Sequence, residues 1–301
     1  MKILNLGSLN IDKVYSVPHF VEAGETLSSS KMEIFSGGKG LNQSIALARA
    51  GAEVYHAGAI GEDGEELRQL MADSGVHTDY LQTLPVVTGH AVIQLTPKGQ
   101  NCIIISAGAN GELTEAYIDE ALSHFSAGDV LLVQNETNNV PYAIREAKAR
   151  GMKVAFNASP ISEELLHYPL ELVDYYLINE VEGKALAGEE AKGNEEILAA
   201  LKKRFPNAAI VLTVGKDGVL YQYGDEQASH GIYDVPVADT TAAGDTFCGF
   251  FLASTAKGLT AAEALRMASL ASSLAVSKKG AANSIPTWSE VERFGTSAKL
   301  I

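Results

Sequence analysis

The stretch Asp239-Thr240-Thr241-Ala242-Ala243-Gly244-Asp245-Thr246-Phe247 sets two acids six positions apart around small residues, and an apolar run from Phe247 to Ser254 follows. Small side chains at a helix N-terminus let a ligand reach unpaired backbone N–H groups, where the helix dipole also favours negative charge. Asp245 falls in the first turn of that helix and points its carboxylate into the same space. The chemistry this suits is base-assisted transfer of an anionic group, with backbone amides around Ala242, Ala243 and Gly244 as the anion hole. An acid in a first turn also serves as an ordinary helix cap.

Two further stretches carry polar groups at turns. Ser36-Gly37-Gly38-Lys39-Gly40-Leu41-Asn42-Gln43 again opens a helical pattern. It is not a P-loop, because Lys39 is followed by glycine instead of Ser or Thr, and no GxGxxG follows the first strand. A tight turn into a helix explains the glycines equally well. Upstream, Gly7-Ser8-Leu9-Asn10-Ile11-Asp12 falls where the first strand ends. In open α/β sheets ligands bind at that edge, although Asn and Asp are also common turn formers.

The elements that must position these residues read as an α/β chain. A buried strand is expected at 2–7, a helix from Gly40 to Ala50 with Leu41, Ile45 and Ala48 on one face, and a strand from Glu53 to Ile60. Helices at 64–74, 114–124, 140–150, 180–187 and 195–205 alternate with strands at 129–134, 153–157, 174–178 and 209–214. Such alternation predicts a mostly parallel central sheet with helices on both faces. Two excursions interrupt it: short alternating apolar positions from about Val14 to Phe35, and a hairpin pairing Thr88–Thr96 with Asn101–Ser106 around Pro97-Lys98-Gly99. After Thr213 the pattern turns to hairpins, with strands at Val219–Tyr223 and Ile232–Val237. Two closing helices follow, from Gly244 to about Ala256 and from Thr260 to Ser277, the second opened by a Thr260/Glu263 capping box.

The chain has 301 residues and a formal net charge of −14. That charge excludes nucleic acid and anionic membranes as partners, because both require basic patches. Its two cysteines, Cys102 and Cys248, form neither a disulfide framework nor a metal-ligand spacing. With no signal-peptide pattern and no membrane-spanning apolar run, the expected location is the cytoplasm.

Taken together, the three motifs resemble the ribokinase-like family of carbohydrate kinases, over nearly the whole chain and most specifically at Asp239–Asp245. The resemblance implies one three-layer, Rossmann-like kinase domain over 1–301, with a small β-strand lid built from about 12–36 and 88–107. It implies ATP-dependent phosphorylation of a sugar hydroxymethyl group, the 5-hydroxyl of D-ribose ahead of other sugars or a nucleoside. A sugar-sensing protein on the same fold is the non-enzyme alternative. Asp245 becomes the general base and Ala242, Ala243 and Gly244 the anion hole. Asn10, Asp12, Gly38, Lys39, Gly40, Asn42 and Glu136 fall at sugar-binding positions, with Ala91, Ile93 and Ile105 as the lid's apolar wall. His90, one residue along its strand from Ala91, points away from the sugar.

For the nucleotide, the same resemblance assigns Asn179, Glu182, Thr213, Gly215, Lys216, Gly218, Gly244 and Ser269. Magnesium accompanies ATP, with Glu182 acting through water. Potassium is expected on largely backbone oxygens of Asp239, Thr241, Ala275, Lys278, Gly280 and Ser284. A homodimer joined through the lids completes the expectation. Read without the resemblance, Glu136 is a solvated strand end, Asn179–Glu182 a surface helix start, Thr213–Gly218 an Asp-Gly turn, and Lys278–Ser284 a turn after a helix. Ser269 departs from the family, which often carries a histidine beside the adenine there; serine offers a hydrogen bond but no stacking surface.

Overall fold

The computed structural model describes residues 1–188 and 191–301. In chain order the strands are β1 (Ile3–Leu6), β2 (Asn10–Ser16), β3 (Lys31–Gly37), β4 (Val54–Ile60), β5 (His77–Thr83), β6 (Gly89–Leu95), β7 (Asn101–Ser106), β8 (Val130–Gln134), β9 (Lys153–Asn157), β10 (Tyr175–Asn179), β11 (Ala209–Thr213), β12 (Val219–Tyr223) and β13 (Glu226–His230). The helices are α1 (Lys39–Arg49), α2 (Glu65–Asp73), α3 (Glu115–Leu122), α4 (Val140–Ala149), α5 (Glu180–Ala187), α6 (Asn194–Arg204), α7 (Ala243–Ala256), α8 (Ala261–Val276) and α9 (Trp288–Gly295).

A nine-stranded sheet runs in the order β13-β12-β11-β10-β9-β8-β1-β4-β5. From β11 to β5 every pairing is parallel, while β12 pairs antiparallel with both β11 and β13. Helices cover both faces because strand side chains alternate. Ile3 joins the core under α1, α2, α7, α8 and α9, while Leu4 and Leu6 join the core under α3, α4, α5 and α6. Helix α7 is buried from Thr246 to Ser254, wedged between α1 and α8, so its sequence is apolar all round instead of amphipathic.

From β1 the chain travels through β2, β3 and α1 to β4 on one side, and later returns to β8 on the other side of β1. Loops leaving β1 and β8 therefore diverge, which opens a crevice at the carboxyl ends of these strands. The second sheet, in the order β3-β2-β6-β7, stands at this crevice, with β2 continuing directly from the β1 loop. Its β6–β7 hairpin is the one expected around Pro97-Lys98-Gly99.

Three elements differ from the sequence reading. β5 is a further parallel edge strand, hidden by polar residues because only Leu81 in it is buried. β12 pairs with Glu226–His230, whereas 232–237 forms no strand beyond an isolated bridge from Tyr233 to Leu300. α9 is a third closing helix, and its Thr287/Glu290 capping box was available as a signal. Both cysteines are free, and no helix among the described residues is long and apolar enough to cross a membrane.

Candidate active site

The glycine run opening α1 exists because α1 starts against the β1–β2 loop. Gly38 has φ +94°, a conformation other residues resist, and a Cβ on Gly40 would collide with the backbone of Gly7 and Ser8. That close approach closes the helix start. Lys39 N donates to Glu136 Oε2 (3.0 Å), Gly40 N to Ser8 Oγ (3.3 Å) and Leu41 N to the Ser8 carbonyl (2.9 Å). Ser8 Oγ in turn donates to Glu136 Oε2. The Lys39 amide is thus committed within the protein, and Glu136 Oε1 has no hydrogen-bond partner among the described residues.

Asn10 and Asp12 stand at the start of β2. Asn10 Oδ1 accepts from Asn110 Nδ2 (2.8 Å), and Asn110 also bonds the Leu9 N–H (3.0 Å) and carbonyl (3.1 Å). Asn110 was not anticipated, because flanking glycines make it read as loop. Asp12 is opposite Phe35 and Ala91 in register, and Ala91 is opposite Ile105, so these four side chains share one face of the small sheet. Ile93 lies two residues on, on that face, and His90 is on the other. Ala91 is buried and Ile93 half-buried, but Ile105 is 63 % exposed and is not enclosed in a wall. Burial, with Glu136 nearby, pushes the Asp12 carboxyl up to about 6.

Across the crevice, Ala242 takes a left-handed conformation (φ 59°) as N-cap of α7. Its neighbour Ala243 donates its N–H to the Thr240 carbonyl (3.3 Å), so that amide is engaged. The Ala242, Gly244 and Asp245 amides have no acceptor among the described residues, so two of the expected trio are open and Asp245 adds a further open donor. Asp245 is held from α1: Asn42 Nδ2 donates to Oδ2 (3.0 Å) and Gln43 Nε2 to Oδ1 (2.9 Å). Burial raises the Asp245 carboxyl, while Lys39, Gln43 and Asn42 oppose the rise. Burial works against the Lys39 ammonium, but Asp245, Glu136 and Glu182 together leave its pKa raised. Asp245, Lys39, Glu182 and Gly244 line one cavity of about 230 Å³.

That cavity shares Asn179, Thr213, Thr240, Ala243, Gly244 and Phe247 with a larger one of about 700 Å³. Gly215, Lys216, Gly218 and Ser269 line the larger cavity, so each expected nucleotide residue borders this connected space. Asn179 and Glu182 form a reciprocal capping box on α5: Asn179 Oδ1 accepts from the Val181 and Glu182 amides, and Glu182 Oε2 accepts from the Asn179 N–H (2.9 Å). Unlike an ordinary surface helix start, Glu182 is buried.

Asp239 ties the last loops together. Its Oδ1 accepts from Thr241 N (2.9 Å) and Thr241 Oγ1 (2.6 Å), and its Oδ2 from Gly280 N (3.1 Å). Burial acts to raise its pKa, yet these bonds and Lys279 leave it lowered. The Ala275 carbonyl accepts from Lys278 N (3.0 Å), and buried Ser284 donates to the Ala281 carbonyl (2.9 Å). Of the six expected potassium residues, Ala275 closes α8 and the other five lie in the loops before α7 and after α8, which the Asp239 carboxylate bridges through Gly280.

The pfkB family of carbohydrate kinases matches residues 1–288. The chain is 36 % identical to the ribokinase of Haemophilus influenzae over 299 residues, 96 % of each chain. A ribokinase structure from Cryptococcus neoformans in complex with ADP superposes with a TM-score of 0.85 at 32 % identity, covering 97 % of this chain and 99 % of that one. The Arabidopsis thaliana ribokinase complexed with ribose and ATP gives 0.84 at 30 % identity, covering 97 % of both. On the match along residues 1–288 and the near-complete coverage of these relatives, this protein belongs to the pfkB family of carbohydrate kinases.

Proposed function

We propose that this protein is an ATP-dependent ribokinase, working as one unit over 1–301, that phosphorylates the 5-hydroxyl of D-ribose. The observation that carries this reading is the placement of Asp245. It joins the closed start of α1, on the small-sheet side, to the open start of α7, on the side of the large cavity. Ring hydroxyls of the sugar held between Asn10, Asp12, Asn42 and Glu136 meet buried and half-buried polar groups, including an unpartnered Asn42 Oδ1, that reject analogues lacking those hydroxyls. Asp245 takes the proton of the 5-hydroxyl as that oxygen bonds to the γ-phosphorus; the bond from phosphorus to the bridging oxygen breaks and ADP leaves. The Gly244 and Asp245 amides receive the developing charge.

Hard cations suit the donor set. Glu182 has lone pairs beyond its capping bonds and would hold a magnesium ion accompanying ATP through water, where the ion would supply charge neutralisation of the phosphates. The 239–241 loop and the 275–284 segment offer backbone and side-chain oxygens for potassium, in keeping with Asp239, Thr241, Ala275, Lys278, Gly280 and Ser284 as its residues. Met32, Ile34, Phe35, Ile103, Ile104 and Ile105 are exposed on the small sheet, whose edge strands are β3 and β7; pairing with a second copy covers them. Light scattering at twice the chain mass supports that dimer, and a monomer at micromolar concentration removes it.

The test of substrate is kcat/KM for ribose, fructose and adenosine, measured by ADP release with magnesium and with potassium or a large organic cation. Ribose is expected to lead, and potassium to raise the rate. A higher value for fructose or adenosine replaces the sugar while keeping the chemistry.

A further inference from the structure

The central strands break their apolar alternation where they meet the first turns of α1. On the α1 side of the sheet, β1 presents Ile3 and then Asn5, β4 presents Val54 and then His56, and β8 presents Val130, Leu132 and then Gln134. Asn5 is opposite His56 and Leu132 in register, and Asn5, His56 and Gln134 are each at most 1 % exposed. Polar groups so placed cost stability unless bonded.

Their donors and acceptors can be assigned one after another from a fixed end. Asn5 Nδ2 donates to the Gly40 carbonyl and to Ser44 Oγ, both at 2.8 Å. Ser44 Oγ meets His56 Nδ1 (2.8 Å), and His56 Nε2 meets the Gly7 carbonyl (3.2 Å). A carbonyl only accepts, so Nε2 carries the ring proton and Nδ1 accepts from Ser44; burial brings His56 down to about 4 and keeps it neutral. Because the Asn5 NH2 group is committed, its Oδ1 must accept, and Gln134 Nε2 donates to it (2.8 Å). Gln134 Nε2 also donates to Gln43 Oε1 (2.8 Å), which leaves Gln43 Nε2 as the group facing Asp245 Oδ1. Reversing the amides along this chain would set a carbonyl oxygen against the Asp245 carboxylate.

We propose that Asn5, Gln134 and Gln43 form an amide chain, anchored on the Gly40 carbonyl and fixed in orientation by the Gln134 NH2 group that donates to both neighbours, that keeps an N–H on Asp245 and fixes its orientation and charge. Gln43 and Gln134 are positioning residues for phosphoryl transfer, and the proposal rests on reading Asp245 as the base. Donors to a carboxylate favour its charged form, the form able to take a proton. A stability role alone would call for fully bonded polar groups, whereas Gln134 Oε1 is buried without a partner so that its NH2 group can serve both neighbours.

The test uses Gln134→Met, which keeps the volume and frees Gln43 to reverse, and Gln43→Met, which removes the donor. Measured on each are the pH profile of kcat, the sugar KM, thermal stability, and the Asp245 carboxyl titration by ¹³C NMR, assigned by its loss in Asp245→Asn. Expected is a fall in kcat of about ten-fold for Gln134→Met and about a hundred-fold for Gln43→Met, with KM within about three-fold. Both the acidic limb of kcat and the carboxyl titration move to higher pH. An unmoved acidic limb and carboxyl titration, whatever the change in stability, overturns the proposal. Should Gln43→Met fail to fold, Gln134→Met decides alone. Should the unmodified protein transfer no phosphoryl group, the kinase reading fails separately, because the carboxyl titration still reports on the amide chain.

Discussion

Helices α1 and α7 both begin at glycine-containing turns and face each other across Asp245, yet their first turns differ in what the backbone amides do. At α1, the Lys39, Gly40 and Leu41 amides are bonded to Glu136 and Ser8. At α7, the Gly244 and Asp245 amides are open. The glycines differ in the same sense: a Cβ on Gly40 would strike Gly7 and Ser8, whereas a Cβ on Gly244 would meet nothing within 4 Å. A glycine-rich helix start is therefore no anion site by composition; counting where each N–H goes separates a packing device from a binding device.

The most damaging change should be at the carboxylate joining the two starts. Asp245→Asn keeps the shape but cannot accept the proton, so turnover should fall by about three orders of magnitude, with sugar affinity within a few-fold. Near-normal turnover removes Asp245 from the chemistry. Next comes Gly244→Ala, which fills open space where charge should develop. Turnover should fall about a hundred-fold while thermal stability holds or rises, since alanine is the better helix former by about 1 kcal/mol. Gly40→Ala should show the reverse balance, a loss of about 1–3 kcal/mol in denaturant unfolding as the loop is forced apart. Equal effects of the two substitutions on stability would erase the contrast between the helix starts.

Most of the fold was legible because period-2 strands and period-3.6 helices alternate along the chain, and glycines and prolines mark the joins. β5 and β13 escaped because both are edge strands made mainly of polar residues, with no apolar alternation to read. At the site, Asp245 was legible as an acid beside small residues at a helix start, and Asn10 and Asp12 as polar groups at a strand end, whereas Lys39, Asn42 and Glu136 gained a sugar-binding role only from the family resemblance. Gln43 was visible only as the end of a glycine motif, and Asn5 and Gln134 gave no signal except a polar residue where a buried strand should be apolar. Their meaning depends on contacts more than 80 positions away in the chain, which no local pattern encodes.

A smaller effect sharpens the α1 side. The Asp12 carboxyl, at about 6 in the folded protein against 3.8 ordinarily, is protonated more readily folded than unfolded. Its contribution to stability is therefore favourable at low pH and is lost as pH rises through about 6. Asp12→Asn should stabilise the protein by about 1 kcal/mol at pH 8 and leave it nearly unchanged at pH 4. Sugar KM in the unmodified protein should rise a few-fold as pH falls below 6, and Asp12→Asn should abolish that dependence. A KM flat from pH 8 to 5 would show that the charge of Asp12 plays no part in holding the sugar.

The most direct measurement of the central claim is a ³¹P and ¹H NMR analysis of the product formed from ATP and D-ribose with magnesium and potassium present. The account predicts stoichiometric ADP and one phosphomonoester whose phosphorus couples to the two protons on C5. Phosphate on C1, release of free phosphate alone, or ATP left unchanged would contradict it.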